Sequence, residues 1–292
     1  MSEAVISARN VGKTMGDRTI LRDISVDVAP GDIVGVIGKN GAGKTTLLEL
    51  LLGFSPATTG VATIFGSNSF RLPASLKRRI GFVPQQDELI DQFTGAQQLS
   101  LNASLRGHWD SALIARLAQD WNVPLGRATR LLSPGERQKI SILLALGHTP
   151  DLLVLDEPAS SLDPAARRQF LQQILELTAS PSRTVVFSTH IVADLERVAN
   201  RIWIIREGAV VWQGPLDTLK ESVVRLNVHG RRRLPALSGI PDVLSQRIDE
   251  TRASIVVSRW DVTREAPLAR QLDADITVEY LSLEDIFVEF AS

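Results

Sequence analysis

Residues 38–45 read GKNGAGKT, a glycine-rich octet that ends on a lysine and a hydroxyl residue. Gly38, Gly41 and Gly43 space the loop, and Gly41 and Gly43 let the main chain curl so that its N–H groups point inward at phosphate oxygens. Lys44 sets an ammonium against the β- and γ-phosphates of a nucleotide, and the Thr45 hydroxyl is placed to ligate Mg²⁺. Lys39, Asn40, Ala42 and Thr46 complete the candidate nucleotide-contacting set. A helix opening near Lys44 adds its positive end to the same anion site. This chemistry suits a kinase, a GTPase or an ATPase. Further along, LLVLDEP (152–158) puts two carboxylates at the end of an apolar run. A buried strand delivers its last residues to the carboxyl edge of a sheet, where ligands of open α/β folds bind. Asp156 is then a Mg²⁺ partner, directly or through water, and Glu157 a base that polarises attacking water. His190 closes a second apolar run, VVFSTH (185–190); it reads either as a γ-phosphate donor or as a strand-end histidine with an ordinary partner.

The elements that must position these groups follow from periodicity. TILRDISVDV (19–28) alternates as a half-buried strand does, and DIVGVIG (32–38) is a short apolar run ending in glycine, as in a buried parallel strand. A helix pattern covers Lys44–Leu52, a strand ends LKRRIGFV (76–83), and 94–121 is helical in pattern. SPGERQKISILLALGH (133–148) is a helix with its own start signal, and PAARRQFLQQILEL (164–177) is another. Strands alternating with helices predict an α/β fold with a mainly parallel sheet. Composition shifts near residue 221: Lys220 is the last lysine, and HGRRR (229–233) reads as a flexible basic joint. ASIVV (253–257) and DITVEYL (275–281) read as strands of a small α+β domain over 221–292. The acids Asp273, Asp275, Glu279, Glu284, Asp285 and Glu289 near its end read as a solvated face.

Composition excludes several classes. The 292 residues carry 32 basic and 33 acidic side chains, a net charge of −1, which argues against a nucleic-acid partner held by a strong positive field. There are no cysteines, so disulfides, thiol nucleophiles and thiolate metal sites are out. The four histidines are not at metal-ligand spacing. MSEAVISARN is not a secretory signal, and no run approaches the length of a membrane span. The expected compartment is the cytoplasm.

LSPGERQK (132–139) makes the pattern specific. With Gly38–Thr45, Gln85 after the strand IGFV, LLVLDEP, SSLD (160–163) and His190, it resembles the nucleotide-binding subunits of ABC transporters over residues 1 to about 218. The resemblance implies a P-loop NTPase ABC ATPase domain over 1–220: a mainly parallel sheet, antiparallel N-terminal strands, and a helical subdomain at about 86–148. It also implies ATP and Mg²⁺ as ligands, and a sandwich dimer in which Ser133 and Gly135, with Glu136 beside them, face the partner's γ-phosphate. In that assembly Asp163 belongs to a loop crossing the interface and His190 is the switch histidine. Gln85, favoured over Gln86 by spacing, senses Mg²⁺ and the attacking water and links the site to a separate transmembrane permease. The subunit would then sit on the inner face of the cell membrane through that permease. The closing LSLEDIFVEF (281–290) resembles the end of ABC-2-type exporter subunits. Two other readings are a soluble ABC-type ATPase acting on ribosomes or nucleic acid, and a non-hydrolysing scaffold bridged by ATP.

Three positions depart from the family pattern. Pro134 and Glu136 stand where glycine and glutamine are usual, removing one N–H donor and adding a negative charge near phosphate. Ser133, Pro134 and Glu136 also form a capping box with proline at the first helical position. Met15 stands where an aromatic ring stacks on adenine, which predicts weaker nucleotide affinity and poor discrimination of ATP from GTP.

Overall fold

The computed structural model describes residues 4–178, 183–234 and 240–291, so the first three residues of MSEAVISARN lie outside it. The chain divides into two compact units, Met1–Gln213 and Gly214–Ser292.

The first unit opens with β1 (Ile6–Met15), β2 (Arg18–Val28), β3 (Ile33–Ile37), α1 (Lys44–Leu51), β4 (Thr59–Ile64), the short β5 (Ser67–Asn68), α2 (Ala74–Lys77) and β6 (Ile80–Val83). It continues through α3 (Gly95–Leu105), α4 (Ser111–Asp120), α5 (Pro134–Leu146), β7 (Leu152–Asp156), α6 (Pro164–Thr178), β8 (Thr184–Thr189), α7 (Val192–Val198), β9 (Arg201–Arg206) and β10 (Ala209–Pro215). Two sheets form. One has the order β2-β1-β4-β5 and is antiparallel; the other has the order β10-β9-β3-β8-β7-β6. In the second sheet β9, β3, β8, β7 and β6 pair in parallel. β3, β7 and β8 are buried along their whole length, so these strands read as unbroken apolar runs.

Helix α1 joins the two sheets. Leu47, Leu48, Leu50 and Leu51 enter one core with Ile6 and Val26 of the antiparallel sheet and Val34, Val36, Val154 and Val186 of the parallel one. Each such leucine contributes roughly 1.5–3 kcal/mol on burial. A helix held on both sides fixes its own first turn, and the loop before it, against the carboxyl ends of β3, β8 and β7.

The 94–121 pattern proves to be two helices. Arg106 leaves α3 in an extended conformation, and Asp110 caps α4 by accepting the Leu113 N–H at 2.8 Å. A side-chain cap satisfies the new helix's first donors, so the chain turns without leaving them orphaned.

The second unit contains α8 (Leu216–Ser222), β11 (Val224–Gly230), β12 (Val243–Asp249), β13 (Arg252–Val257), α9 (Glu265–Leu272), β14 (Ala274–Tyr280) and α10 (Leu283–Ala291). Its sheet is antiparallel, in the order β12-β13-β11-β14. Val224, Leu226, Val228, Ile255, Val257 and Trp260 make its core. The boundary falls before the expected 220/221: α8 belongs here, and the Ser222 carbonyl accepts the Trp260 N–H at 2.8 Å. HGRRR is not a joint between domains. His229 and Gly230 end β11, the strand between β13 and β14, where His229 stands opposite Arg252 and Asp275. Nor are all the late acids merely solvated: Arg225 lies 3.2 Å from Glu279 and 4.0 Å from Glu289, and Arg231 lies 3.6 Å from Asp275.

Candidate functional site

The loop between β3 and α1 adopts the curl that its glycines permit. Gly41 has φ +79° and Gly43 φ +105°, the left-handed region that a side chain disfavours. Gly43 precedes α1 with no side-chain cap and no acid in the first turn. The N–H groups at this end therefore remain available to an anion. Lys44 is 7% exposed, and its Nζ donates to the carbonyls of Gly38 at 2.9 Å and Lys39 at 3.4 Å.

The ends of β7 and β8 meet this loop. Lys44 Nζ lies 3.4 Å from Glu157 Oε1, and His190 Nδ1 lies 2.6 Å from Glu157 Oε2. A buried carboxylate is tolerated only when paired, and Glu157 has one partner on each oxygen. Glu157 reaches them because its backbone turns to φ +49° directly after the strand. Asp156, 1% exposed, points its carboxylate at Ser188, whose hydroxyl donates to Oδ1 at 2.5 Å. Asp156, Thr45, Gln85 and Gln86 line a single cavity of about 480 Å³. Hard oxygen donors from a carboxylate, a hydroxyl and an amide suit Mg²⁺. Both glutamines of the 85–86 pair face this cavity. Met15 ends β1 and is 49% exposed.

The remaining site residues gather elsewhere. Ser133, Gly135, Glu136, Lys139, Ser161 and Asp163 line a cavity of about 530 Å³. The capping box is made: Ser133 Oγ accepts the Glu136 N–H at 3.3 Å, and Glu136 Oε2 accepts the Ser133 N–H at 2.7 Å. The Ser133 N–H, first among the causes, holds the Glu136 carboxyl below the usual carboxylate range. Gly135 admits no side chain cheaply, since a Cβ there would lie 2.7 Å from the Ser161 carbonyl oxygen. Asp163 Oδ1 accepts the Ala165 and Ala166 N–H groups at 2.9 and 3.0 Å and opens α6; the Ala166 bond leads in lowering its pKa. Ser160 ties the two clusters, donating from its hydroxyl to the Glu157 carbonyl at 2.9 Å.

Two groups escaped the sequence reading. Ser188 accepts the Glu157 N–H at 2.9 Å as well as donating to Asp156. No local signal marks it, because its partners are set by the register of β7 against β8. Arg137 was the other. Its Nε donates to both carboxylate oxygens of Asp87 at 2.9 Å, and one terminal nitrogen donates to Asp91 at 2.9 Å and to the Thr129 carbonyl at 3.0 Å. This fork binds the stretch after Gln85 to the first turns of α5 and pushes the Arg137 pKa upward, the Asp87 bond foremost. Nothing local to Arg137 announces a partner 50 residues away.

The fold and the loop between β3 and α1 define a P-loop nucleotide hydrolase. Residues 21–160 match the family model for the ABC transporter. The chain is 31% identical to the Nod factor export ATP-binding protein I of Burkholderia orbicola, over 99% of this chain and 97% of that protein. It is 32% identical to the bacitracin transport ATP-binding protein BcrA of Bacillus licheniformis, over 74% and 72%. Among solved structures, an ATP-binding subunit of an ABC transporter superposes with a TM-score of 0.68 at 27% identity, covering 74% of this chain and 92% of that one. A dimeric ATP-binding cassette in a post-hydrolysis state, with ADP and phosphate bound, superposes with a TM-score of 0.63 at 25% identity, over 72% and 98%. The chain belongs to the ABC transporter family as an ATP-binding subunit, and its reaction is the hydrolysis of ATP.

Proposed function

We propose that this subunit powers an ABC-2-type exporter: two cassettes close over two ATP molecules and drive a separate membrane permease. The observation that carries this reading is the buried Glu157 carboxylate held between Lys44 and His190 at the rim of the phosphate loop. Main-chain N–H groups of residues 38–46 bind the phosphates, and Lys44 moves from Glu157 to the β- and γ-phosphates. Glu157, released, orients the attacking water and takes up its proton, while His190 donates to the γ-phosphate. Thr45, Asp156 and Gln85 would hold Mg²⁺, which when bound would supply positive charge to offset that developing on the transferred phosphoryl group. Ser133 and Gly135 of one copy cover the nucleotide of the other, and Asp163 lies at the crossing between them. Met15 rests against the base.

The permease would dock in the groove beside Gln85. Phe54, Phe82, Leu89, Leu101 and Leu144 line a largely apolar cavity of about 460 Å³ there, with Lys77 and Arg106 also on its wall. Among the described residues no helix is long and apolar enough to cross a membrane, so attachment through such a partner fits. The relatives named for Nod factor export and bacitracin transport support an exporter and leave the cargo open.

The decisive experiment is Glu157→Gln. This variant keeps ATP binding, loses hydrolysis by roughly 10²–10⁴-fold, and accumulates an ATP-dependent dimer in light scattering. Unchanged turnover, or a monomer at saturating ATP, overturns the reading. Leu101→Asp should abolish co-purification with the permease at unchanged basal turnover.

A further inference from the structure

We infer that Ser188 is a positioning residue for hydrolysis: one buried hydroxyl fixes both the Asp156 carboxylate and the main chain of Glu157. The inference rests on the catalytic roles proposed for those two residues.

β7 and β8 run parallel, and Asp156 stands directly opposite Ser188. Both are removed from solvent, Ser188 completely. A serine hydroxyl has one proton to give and lone pairs to receive. Here the proton goes to Asp156 Oδ1, and the oxygen accepts the Glu157 N–H at 2.9 Å. The hydroxyl is thus oriented from both sides, and each bond has a separate consequence.

The first consequence concerns the metal ligand. Asp156 lines the cavity it shares with Thr45 and Gln85. A carboxylate turns about its terminal torsion with little resistance, since that torsion is broad. Anchoring Oδ1 fixes the plane of the group and with it the direction of Oδ2. An anchored ligand meets a metal without first being ordered, as outer-shell partners do for metal ligands generally.

The second consequence concerns the base. A non-glycine residue in the left-handed region is strained and persists only where its surroundings hold it. At Glu157 that turn carries the side chain out of the strand direction and toward Lys44 and His190. Glu157 is itself buried, so its N–H requires a partner, and Ser188 supplies one. Without the hydroxyl the N–H is orphaned where the backbone is already strained, and the turn relaxes.

Ser188→Ala tests both at once. The expected result is a kcat lower by roughly 10–100-fold, the usual loss for an outer-shell partner, with KM for ATP within about threefold. The Mg²⁺ concentration for half-maximal turnover should rise severalfold. A readout independent of turnover is the affinity for Mn²⁺ of the ATP-loaded protein, followed by electron paramagnetic resonance, which should weaken. The affinity for a fluorescent ATP analogue in EDTA should not change, because the phosphate loop is untouched. Wild-type kcat together with a wild-type metal requirement in Ser188→Ala overturns the inference. Should the alanine variant fail to fold, Ser188→Cys keeps similar bulk with a weak donor; it should show the same raised metal requirement in milder form. A cysteine variant indistinguishable from wild type would mean the position matters for packing alone. Failure of the underlying reading looks different: Glu157→Gln would then retain full turnover whatever Ser188 does.

Discussion

Two helices of the first unit begin at glycine-bearing loops, and they begin in opposite ways. Helix α1 starts after Gly43 with no side-chain cap, no acid in its first turn, and a lysine as its first residue. Helix α5 starts after Ser133 with a completed capping box, a proline that has no N–H, and Glu136 in the first turn. The first arrangement leaves main-chain donors unclaimed and adds positive charge, so it can take a polyphosphate without outside help. In the second, two N–H groups are already satisfied by side chains and a carboxylate is present. A helix start is an anion site only to the degree that its own sequence has not already filled it. In the proposed dimer the two ends therefore do unequal work, the P-loop gripping and the α5 end covering.

Lys44 carries the largest share of the difference between the two helix starts. Lys44→Ala removes a buried charge partner of phosphate, worth roughly 2–5 kcal/mol, so ATP affinity by calorimetry should weaken on the order of 10²-fold or more. Retained affinity would mean that the main chain alone suffices. Met15→Tyr acts on the nucleotide held at the same end. Base–aromatic stacking contributes about 1–3 kcal/mol against about 0.3–1.5 for a thioether, so affinity should tighten by about fivefold and ATP should gain over GTP. An unchanged dissociation constant removes Met15 from the base. At the other end, Glu136→Gln keeps a capping acceptor and deletes the charge. Nucleotide-dependent dimerisation should strengthen by about two- to threefold at low salt, an effect that fades in high salt as the charge is screened. The pH dependence of the cap gives the smallest effect. The Ser133 N–H depresses the Glu136 pKa in the folded chain, so its stabilisation is present above the unfolded carboxylate pKa. It is lost as pH falls through the lower folded value. Thermal unfolding of Glu136→Gln should lack this acid-side component.

The features legible in sequence were those decided within a few residues. The phosphate loop, the capping box at Ser133 and the strand ending in Asp156 and Glu157 are short-range patterns, and the structure forms each where its residues stand. Ser188 was illegible because its meaning depends on register between two strands far apart in the chain. Nothing near Asp87 or Asp91 in the chain marks a partner for them; Arg137 supplies it from 46 to 50 residues away. HGRRR misled for a related reason: a basic, glycine-bearing string resembles a linker until β13 and β14 are known to flank His229. The break at 106–110 in the helical pattern hid because apolar spacing survives on both sides of it, while the capping by Asp110 is a single side chain's choice.

Arg137 has a mechanical consequence. A guanidinium is planar and stiff, and this one engages two aspartates and a carbonyl at once. Residues 87 and 91 bracket Glu88, Leu89 and Ile90, which form part of the apolar groove wall. Displacing that wall without also tilting the head of α5 would require breaking several charge-assisted bonds together. The wall and the helix head are thus clamped together through one arginine.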